Sequence, residues 1–150
     1  MAYAEYQAQA ARQFVERLRQ FETGMLITHG SNGHLHGRPM AVAEIEPVES
    51  ERFSCYLWFL TGLETSKADE IRQNQQVLVT FQDRQKPFLT LSGRAHIVQD
   101  AERVDAFWRE NYRRWLPQGK GDPNLALIRV RLDDGQVWEQ SGALPESVSF

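Results

Sequence analysis

Residues 53–68 read FSCYLWFLTGLETSKA, and this run indicates both the fold and a candidate site. Its first nine residues are rich in aromatic and bulky apolar side chains, which predicts a strand that ends at Thr61. A helix is predicted to begin at Ser66, immediately before Lys67. A helix N-terminus carries unpaired backbone N–H groups and the positive end of the helix dipole. The strand and the helix together are therefore suited to binding a phosphate group.

Ser66 and Lys67 are the candidate phosphate-binding residues. Ser66 offers a hydroxyl, and with Asp69 it resembles a helix-capping box. Lys67 offers a full positive charge. A charge-assisted hydrogen bond contributes roughly 1.5–3 kcal/mol, against about 0.3–1 kcal/mol for the helix dipole, so Lys67 is expected to matter more. The alternative is an ordinary N-cap serine followed by a solvated lysine.

The remaining elements follow from hydrophobic periodicity and from turn residues. Helices are predicted over residues 4–21, 66–74 and 101–115. Strands are predicted over residues 25–28, 35–45, 53–61, 77–81, 88–98, 126–132 and 136–139, with turns at Asn32-Gly33 and Asp134-Gly135. Residues 141–150 are expected to form a frayed C-terminal tail. Six or seven strands with few short helices predict a mainly β, α+β fold built on an antiparallel barrel.

Composition restricts the class of protein. A chain of 150 residues is the size of one domain and can bury a core without disulfides or metals. The 17 basic and 20 acidic residues give a formal charge of −3, which disfavours nonspecific nucleic-acid binding. Cys55 is the single cysteine, so no intrachain disulfide can form. The sequence shows no signal peptide and no apolar run near the ~20 residues of a membrane span, so a cytoplasmic location is expected.

Seven short motifs occur in a fixed order along residues 24–139. They are Arg38-Pro39-Met40, Phe59-Leu60-Thr61, Ser66-Lys67-Ala68, Leu91-Ser92-Gly93-Arg94-Ala95, Trp115-Leu116-Pro117, Asp122-Pro123 and Val137-Trp138-Glu139. In this order they resemble the flavin-binding split barrel of the pyridoxamine 5′-phosphate oxidase superfamily. Within it, the chain is most similar to the short bacterial general stress proteins that bind FMN. The resemblance implies one six- to seven-stranded antiparallel split β-barrel domain with peripheral helices over residues 1–140, followed by a tail over residues 141–150.

The resemblance also implies where FMN binds. Lys67 would contact the phosphate with help from Ser66, and Arg38 would approach the phosphate or the ribityl oxygens. Neighbouring strand residues would face the flavin ring. A C-terminal tryptophan, Trp138 in preference to Trp115, would approach the flavin held mainly by the other subunit of a homodimer. The candidate cofactor-binding residues are Arg38, Pro39, Met40, Leu60, Thr61, Ser66, Lys67 and Trp138.

The function implied by the resemblance is redox chemistry. An FMN-binding general stress protein would transfer a hydride or electrons between the flavin and NAD(P)H or a small-molecule substrate. No catalytic residue is assigned, because no histidine has an obvious carboxylate partner in the sequence. The alternative of a different class is a non-catalytic flavin-binding protein of the stress response, and F420 or haem are alternative ligands for the same fold. Pyridoxamine-phosphate oxidase activity itself is not expected, because residues 141–150 contain no Arg or Lys for a substrate phosphate.

Three further features have ordinary structural explanations. His34 and His36 share one face of a predicted strand, but no third ligand has suitable spacing, so no metal site is predicted. Gly119-Lys120-Gly121 lacks the spacing of a phosphate-binding loop and is expected to be a turn. Pro39 has no N–H group to donate, so it marks an edge or an irregular point of its sheet.

Overall fold

The computed structural model describes residues 2–150, which form one antiparallel sheet with helices packed around it. Three α-helices span α1 Ala2–Leu18, α2 Ser66–Gln73 and α3 Ala101–Phe107, and a 3₁₀ helix spans Glu110–Arg114. The strands are β1 Thr23–His29, β2 Leu35–Ala41, β3 Glu44–Val48, β4 Ser54–Gly62, β5 Gln76–Phe81, β6 Phe88–Val98, β7 Leu125–Trp138 and β8 Glu146–Ser149. Within residues 2–150, no helix is both long enough and apolar enough to cross a membrane.

The sheet is curled into a barrel-like shape, because its two outermost strands follow each other directly along the chain. The order is β2-β1-β5-β6-β7-β4-β3, with β8 paired to β7, and each neighbouring pair is antiparallel. The outermost strands β2 and β3 are separated along the chain only by Val42 and Ala43. The Val42 N–H donates to Glu22 O and the Ala43 N–H donates to Trp58 O, so this link is bonded to both ends of the sheet. The two edges therefore approach each other, and the sheet stays unclosed. The predicted mainly β, antiparallel fold with peripheral helices is confirmed.

Both outermost strands contain a proline. Pro39 lies in β2 opposite Met25, and Pro47 lies in β3 opposite Cys55. Because proline has no N–H group, it is tolerated in a strand that is paired on one side only. The prediction that Pro39 marks a sheet edge is confirmed. The single strand predicted over residues 35–45 is wrong, because the two-residue link divides it into β2 and β3.

The apolar stripe of α1 packs against β7 through a glycine. Phe14 is 2 % exposed, and a Cβ atom at Gly135 would clash with its Cζ atom. Gly135 therefore makes room for the Phe14 ring inside a continuous strand. The predicted turn at Asp134-Gly135 is wrong, because β7 runs through it. The register between β6 and β7 shifts at Ser92 and Gly93, because β7 contains one residue more than β6 there and forms a β-bulge.

The last ten residues are ordered against the core. β8 pairs with the second half of β7, on the side that β4 leaves free. The Phe150 ring centroid lies 5.8 Å from that of Phe14 and 6.2 Å from that of Phe53. The prediction of a frayed tail over residues 141–150 is therefore wrong. The polar composition of residues 141–150 does not indicate that this segment pairs with a free strand edge and that its last residue packs against two aromatic rings.

The helix predicted over residues 101–115 is interrupted. Trp108 has φ −61° and ψ 137°, and Arg109 has φ −130° and ψ 140°, both extended conformations that end α3. The Phe107 ring packs 5.7 Å from the Trp58 ring, and Tyr112 joins the same buried cluster from the 3₁₀ helix. Tertiary packing thus outweighs helical periodicity in this segment, a common override of local propensity.

Candidate functional site

A cavity of about 530 Å³ lies between β2, the end of β4 and the start of α2. Its far wall is formed by the 3₁₀ helix and the loop that follows it. Six of the eight predicted cofactor-binding residues line the cavity, and Ser66 and Trp138 do not. The six are Arg38, Pro39, Met40, Leu60, Thr61 and Lys67.

Two cations converge on the cavity from separate elements. Arg38 comes from the edge strand β2 and Lys67 from the first turn of α2, and the curl of the sheet brings these elements together. Burial lowers the pKa of Lys67, and the positive charge of Arg38 lowers it further. Among residues 2–150, Lys67 takes part in no ion pair, whereas Lys86 and Lys120 each have a carboxylate partner. An anion in this cavity would relieve the repulsion between the two cations.

The N-terminus of α2 is capped by Thr65. Thr65 has an extended backbone (φ −101°, ψ 153°), and its hydroxyl accepts a hydrogen bond from the Ala68 N–H at 3.3 Å. Ser66 is the first helical residue and is exposed, so the predicted capping box of Ser66 and Asp69 is wrong. The Thr65 hydroxyl also donates to Gly62 O at 3.0 Å. Sequence reasoning missed Thr65 because Thr and Ser adjoin there and either could cap the helix.

Behind the cations lies Glu70, a buried carboxylate that sequence reasoning missed. It is 8 % exposed and accepts three hydrogen bonds: Thr28 Oγ1 at 2.8 Å, His36 Nδ1 at 2.7 Å and Arg38 Nη2 at 3.3 Å. Burial acts to raise the pKa of Glu70, but the bonds from His36, Thr28 and Arg38 outweigh it and hold the pKa below its ordinary value. No local signal in the sequence identifies Glu70, because its three partners come from β1 and β2.

The far wall of the cavity is aromatic. Tyr112 and Trp115 line it, with ring centroids 6.5 Å apart, and Trp115 is 64 % exposed. The Tyr112 hydroxyl is buried, and within residues 2–150 it has no hydrogen-bond partner. Burial raises the pKa of Tyr112. Within one chain, the tryptophan that lines the same cavity as Lys67 is therefore Trp115, although the family resemblance favours Trp138.

A family model described as "Pyridoxamine 5′-phosphate oxidase like" matches residues 9–149, nearly the whole chain. The chain belongs to the pyridoxamine 5′-phosphate oxidase-like family. Among curated proteins it is similar to General stress protein 26 of Bacillus subtilis (strain 168), with 29 % identity over 94 residues. That match covers 60 % of this chain and 66 % of the relative, a little under two-thirds of its length.

Solved structures of the same family share the fold. A Clostridium acetobutylicum protein related to general stress protein 26 has a TM-score of 0.74 at 17 % identity, over 95 % of this chain and 96 % of that one. The general stress FMN/FAD binding protein of Xanthomonas citri has a TM-score of 0.66 at 29 % identity, over 93 % of each chain. The pyridoxamine 5′-phosphate oxidase-like chain thus has the split-barrel fold implied by its motifs.

Trp138 of this pyridoxamine 5′-phosphate oxidase-like chain lies in a second cavity of about 350 Å³. The rest of its lining is formed by strand residues of β5 and β6 and by Gln82, Ser141 and Gly142. Within one chain Trp138 is therefore not brought to the cavity of Lys67. The expectation that it approaches a flavin of the other subunit stays a prediction.

His34 and His36 have different hydrogen-bond partners. His36 bonds to Glu70, which supplies the carboxylate partner that the sequence did not reveal, whereas His34 Nδ1 lies 3.3 Å from Asn32 Nδ2. Over residues 2–150, no group of three or more His, Cys, Asp or Glu side chains is arranged to hold a metal ion.

Proposed function

We propose that this protein binds FMN in the cavity of Arg38 and Lys67, with the phosphate held by these two cations. The observation that carries the proposal is their convergence on one cavity in a chain of net charge −3. Lys67 has no ion-pair partner within the described residues 2–150, so a phosphate would provide the missing negative charge. Each charge-assisted hydrogen bond to it would contribute roughly 1.5–3 kcal/mol.

The rest of the cavity fits a flavin in size and in chemistry. Its volume of about 530 Å³ falls in the roughly 300–1,000 Å³ range of small-molecule sites. Met40, Leu60 and Trp115 provide apolar and aromatic surface for a planar ring, and Thr61 and Thr65 are the threonines that line the cavity beside them. The description of the Xanthomonas citri relative as FMN/FAD binding supports this choice of cofactor.

The same proposal includes a homodimer with the flavin at the subunit interface. Met25, Leu35 and Leu78 are large apolar residues that remain exposed, and the register of β1 with β2 and β5 puts them on one face. Pro39 from the cation-containing cavity and Thr80 from the Trp138 cavity lie on this face too. A second copy that covers the face would bring the partner's Trp138 towards the bound ring. A monomeric mass at micromolar concentration would contradict this part.

When bound, FMN would supply hydride or electron transfer, which makes an oxidoreductase the proposed reaction class. The residues of this chain would bind and orient the cofactor and limit its contact with water. NAD(P)H or a small molecule is the proposed reaction partner. A reducing cytoplasm is the proposed location, because the chain contains a single cysteine, Cys55, and so forms no intrachain disulfide.

The second candidate function is a non-catalytic flavin-binding protein of the stress response. The observation that favours it is the lining of the cavity, which contains no histidine and one carboxylate, Asp122. The Asp122 carboxylate accepts a hydrogen bond from the Asn124 N–H at 2.9 Å, so it serves the loop. Bound FMN that NADH and NADPH reduce no faster than free FMN would favour this candidate over the oxidoreductase.

The proposal is tested by titrating the purified protein with FMN, riboflavin and F420 and following ligand fluorescence. Tight FMN binding with riboflavin at least about tenfold weaker is the expected result, since riboflavin lacks the phosphate. Preference for F420 would keep the fold and change the cofactor. Absence of binding by all three ligands would contradict the proposed cavity function.

A further inference from the structure

We propose that Glu70 is a positioning residue that fixes the guanidinium of Arg38 at the phosphate-binding end of the cavity. This inference rests on the proposed function, because the phosphate is the group that Arg38 would contact. It adds a residue that does not itself line the cavity. It also predicts that discrimination between phosphorylated and unphosphorylated flavins depends on the buried oxygen acceptor at position 70.

Glu70 is built into the fold as a fixed acceptor. It is the one buried charged side chain among residues 2–150, and each of its carboxylate oxygens has a defined role. Oε1 accepts from Thr28 at 2.8 Å and from Arg38 at 3.3 Å, and Oε2 accepts from His36 at 2.7 Å. A carboxylate held by three donors from two strands has little freedom to turn, so it gives Arg38 a fixed anchor.

The hydrogen bonds of Arg38 leave part of its guanidinium available. Nη1 donates to Leu26 O at 3.2 Å and to Thr28 Oγ1 at 2.7 Å, and Nη2 donates once, to Glu70. A guanidinium has five N–H donors, so within residues 2–150 the Nε–H and one Nη2–H have no partner. Arg38 lines the cavity, and a guanidinium with free N–H donors can bind phosphate oxygens there.

Glu70 also balances charge where two cations meet. The groups bonded to it are Thr28 from β1 and His36 and Arg38 from β2. Without the carboxylate, Arg38 would lose its one ion-pair partner among residues 2–150. The guanidinium of Arg38 would then keep only its Nη1 bonds to Leu26 O and Thr28 Oγ1, so its Nη2 end would no longer be held in one position.

The experiment compares the affinities of FMN and riboflavin for three full-length variants. Glu70→Ala removes the anchor, and FMN is expected to bind roughly tenfold more weakly while riboflavin is unaffected. Glu70→Gln keeps an oxygen acceptor at the same place, and its FMN affinity is expected to equal or exceed that of the wild type. Asp69→Asn is the matched control, because Asp69 is an exposed acid on the same helix whose one ion-pair partner among residues 2–150 is Arg72.

A double-mutant cycle shows whether Glu70 acts through Arg38. If it does, adding Glu70→Ala to Arg38→Ala produces no further loss of FMN affinity. If Glu70→Ala does not fold, Glu70→Asp takes its place in the cycle, because the shorter chain withdraws the carboxylate from Arg38.

Three results would overturn the positioning role: wild-type FMN affinity in Glu70→Ala, equal losses for FMN and riboflavin, or additive effects in the cycle. Equal losses would indicate a general effect on the fold. Failure of the wild-type protein to bind FMN would instead contradict the proposed function itself, so the two failures are distinguishable.

Discussion

The two ends of the cavity are built in different ways. At the cationic end, Arg38 lies on a regular strand and Lys67 on a helix, and Glu70 ties Arg38 to β1 by way of Thr28. At the aromatic end, Tyr112 and Trp115 lie on a 3₁₀ turn and the residue that ends it. There Trp115 is 64 % exposed and the buried Tyr112 hydroxyl has no partner within the described chain, residues 2–150.

The difference assigns separate tasks to the two ends. Side chains that are fixed by hydrogen bonds on strands and helices hold a charged group in one geometry at little cost on binding. An exposed aromatic residue on a turn can adapt to a ring of variable position, because its surroundings are loosely packed. We therefore expect the cationic end to determine which ligand binds, and the aromatic end to adjust how its ring is held.

The largest expected effect is at the cationic end. Lys67→Ala should weaken FMN binding by roughly 1.5–3 kcal/mol and leave riboflavin binding unchanged, because only the phosphate loses a charged partner. Fluorescence titration of both ligands measures the effect. Lys120→Ala is the control, since Lys120 pairs with Asp105 and does not line the cavity. Unchanged FMN affinity in a folded Lys67→Ala protein would remove the phosphate assignment.

A smaller and non-selective effect is expected at the aromatic end. Trp115→Leu should weaken the binding of FMN and of riboflavin equally, by about 0.5–1.5 kcal/mol, because the ring is common to both ligands. The fluorescence of bound flavin should rise when the stacked indole is removed. Tyr3→Leu, which changes an exposed aromatic residue on α1, is the control. A loss of affinity for FMN alone would contradict the view that the cationic end binds the phosphate and the aromatic end binds the ring.

Tyr112→Phe tests whether the aromatic end is incompletely bonded without ligand. Removing a buried hydroxyl that lacks a partner should raise the free energy of unfolding by about 1 kcal/mol, because its desolvation is not compensated. Urea denaturation of the ligand-free protein measures this, with Tyr6→Phe on the exposed face of α1 as the control. A clear loss of stability in Tyr112→Phe would mean that the hydroxyl has a partner.

The smallest expected effect is on the pH dependence of the protein's stability, and it arises at the cationic end. The pKa of Glu70 is lowered in the folded protein, so its contribution to stability is present above its unfolded pKa and disappears as pH falls through the folded value. Glu70→Gln should therefore show a shallower loss of stability than the wild type below about pH 4.5. Unfolding free energies between pH 6 and about pH 3 measure the slopes. Parallel curves for the two proteins would contradict the bonding of Glu70.

The sequence predicts the cationic end better than the aromatic end for a physical reason. The run over residues 53–68 contains its own signals, namely strand-forming side chains, hydroxyl residues at a helix start and a lysine. Lys67 and Arg38 could be proposed from such local patterns and from family resemblance. Glu70 could not, because its role depends on β1, β2 and α2 meeting, which only the curl of the sheet decides.

Two of the segments predicted wrongly have a conformation that is set by distant contacts. The 3₁₀ segment holding Tyr112 breaks a periodic helix, because Phe107 packs on Trp58. β8 forms on an edge that β4 leaves free, and Phe150 fills a space beside Phe14. Neither outcome has a local signal, whereas antiparallel pairing and the strand from Ser54 to Gly62 do.

The most direct test of the division between the two ends is a crystal structure of the protein with FMN bound. We predict phosphate oxygens within hydrogen-bond distance of Lys67 Nζ and of the free donors of Arg38, with the flavin ring towards Trp115. The opposite orientation, with the phosphate at Trp115 or outside the cavity altogether, would contradict the account.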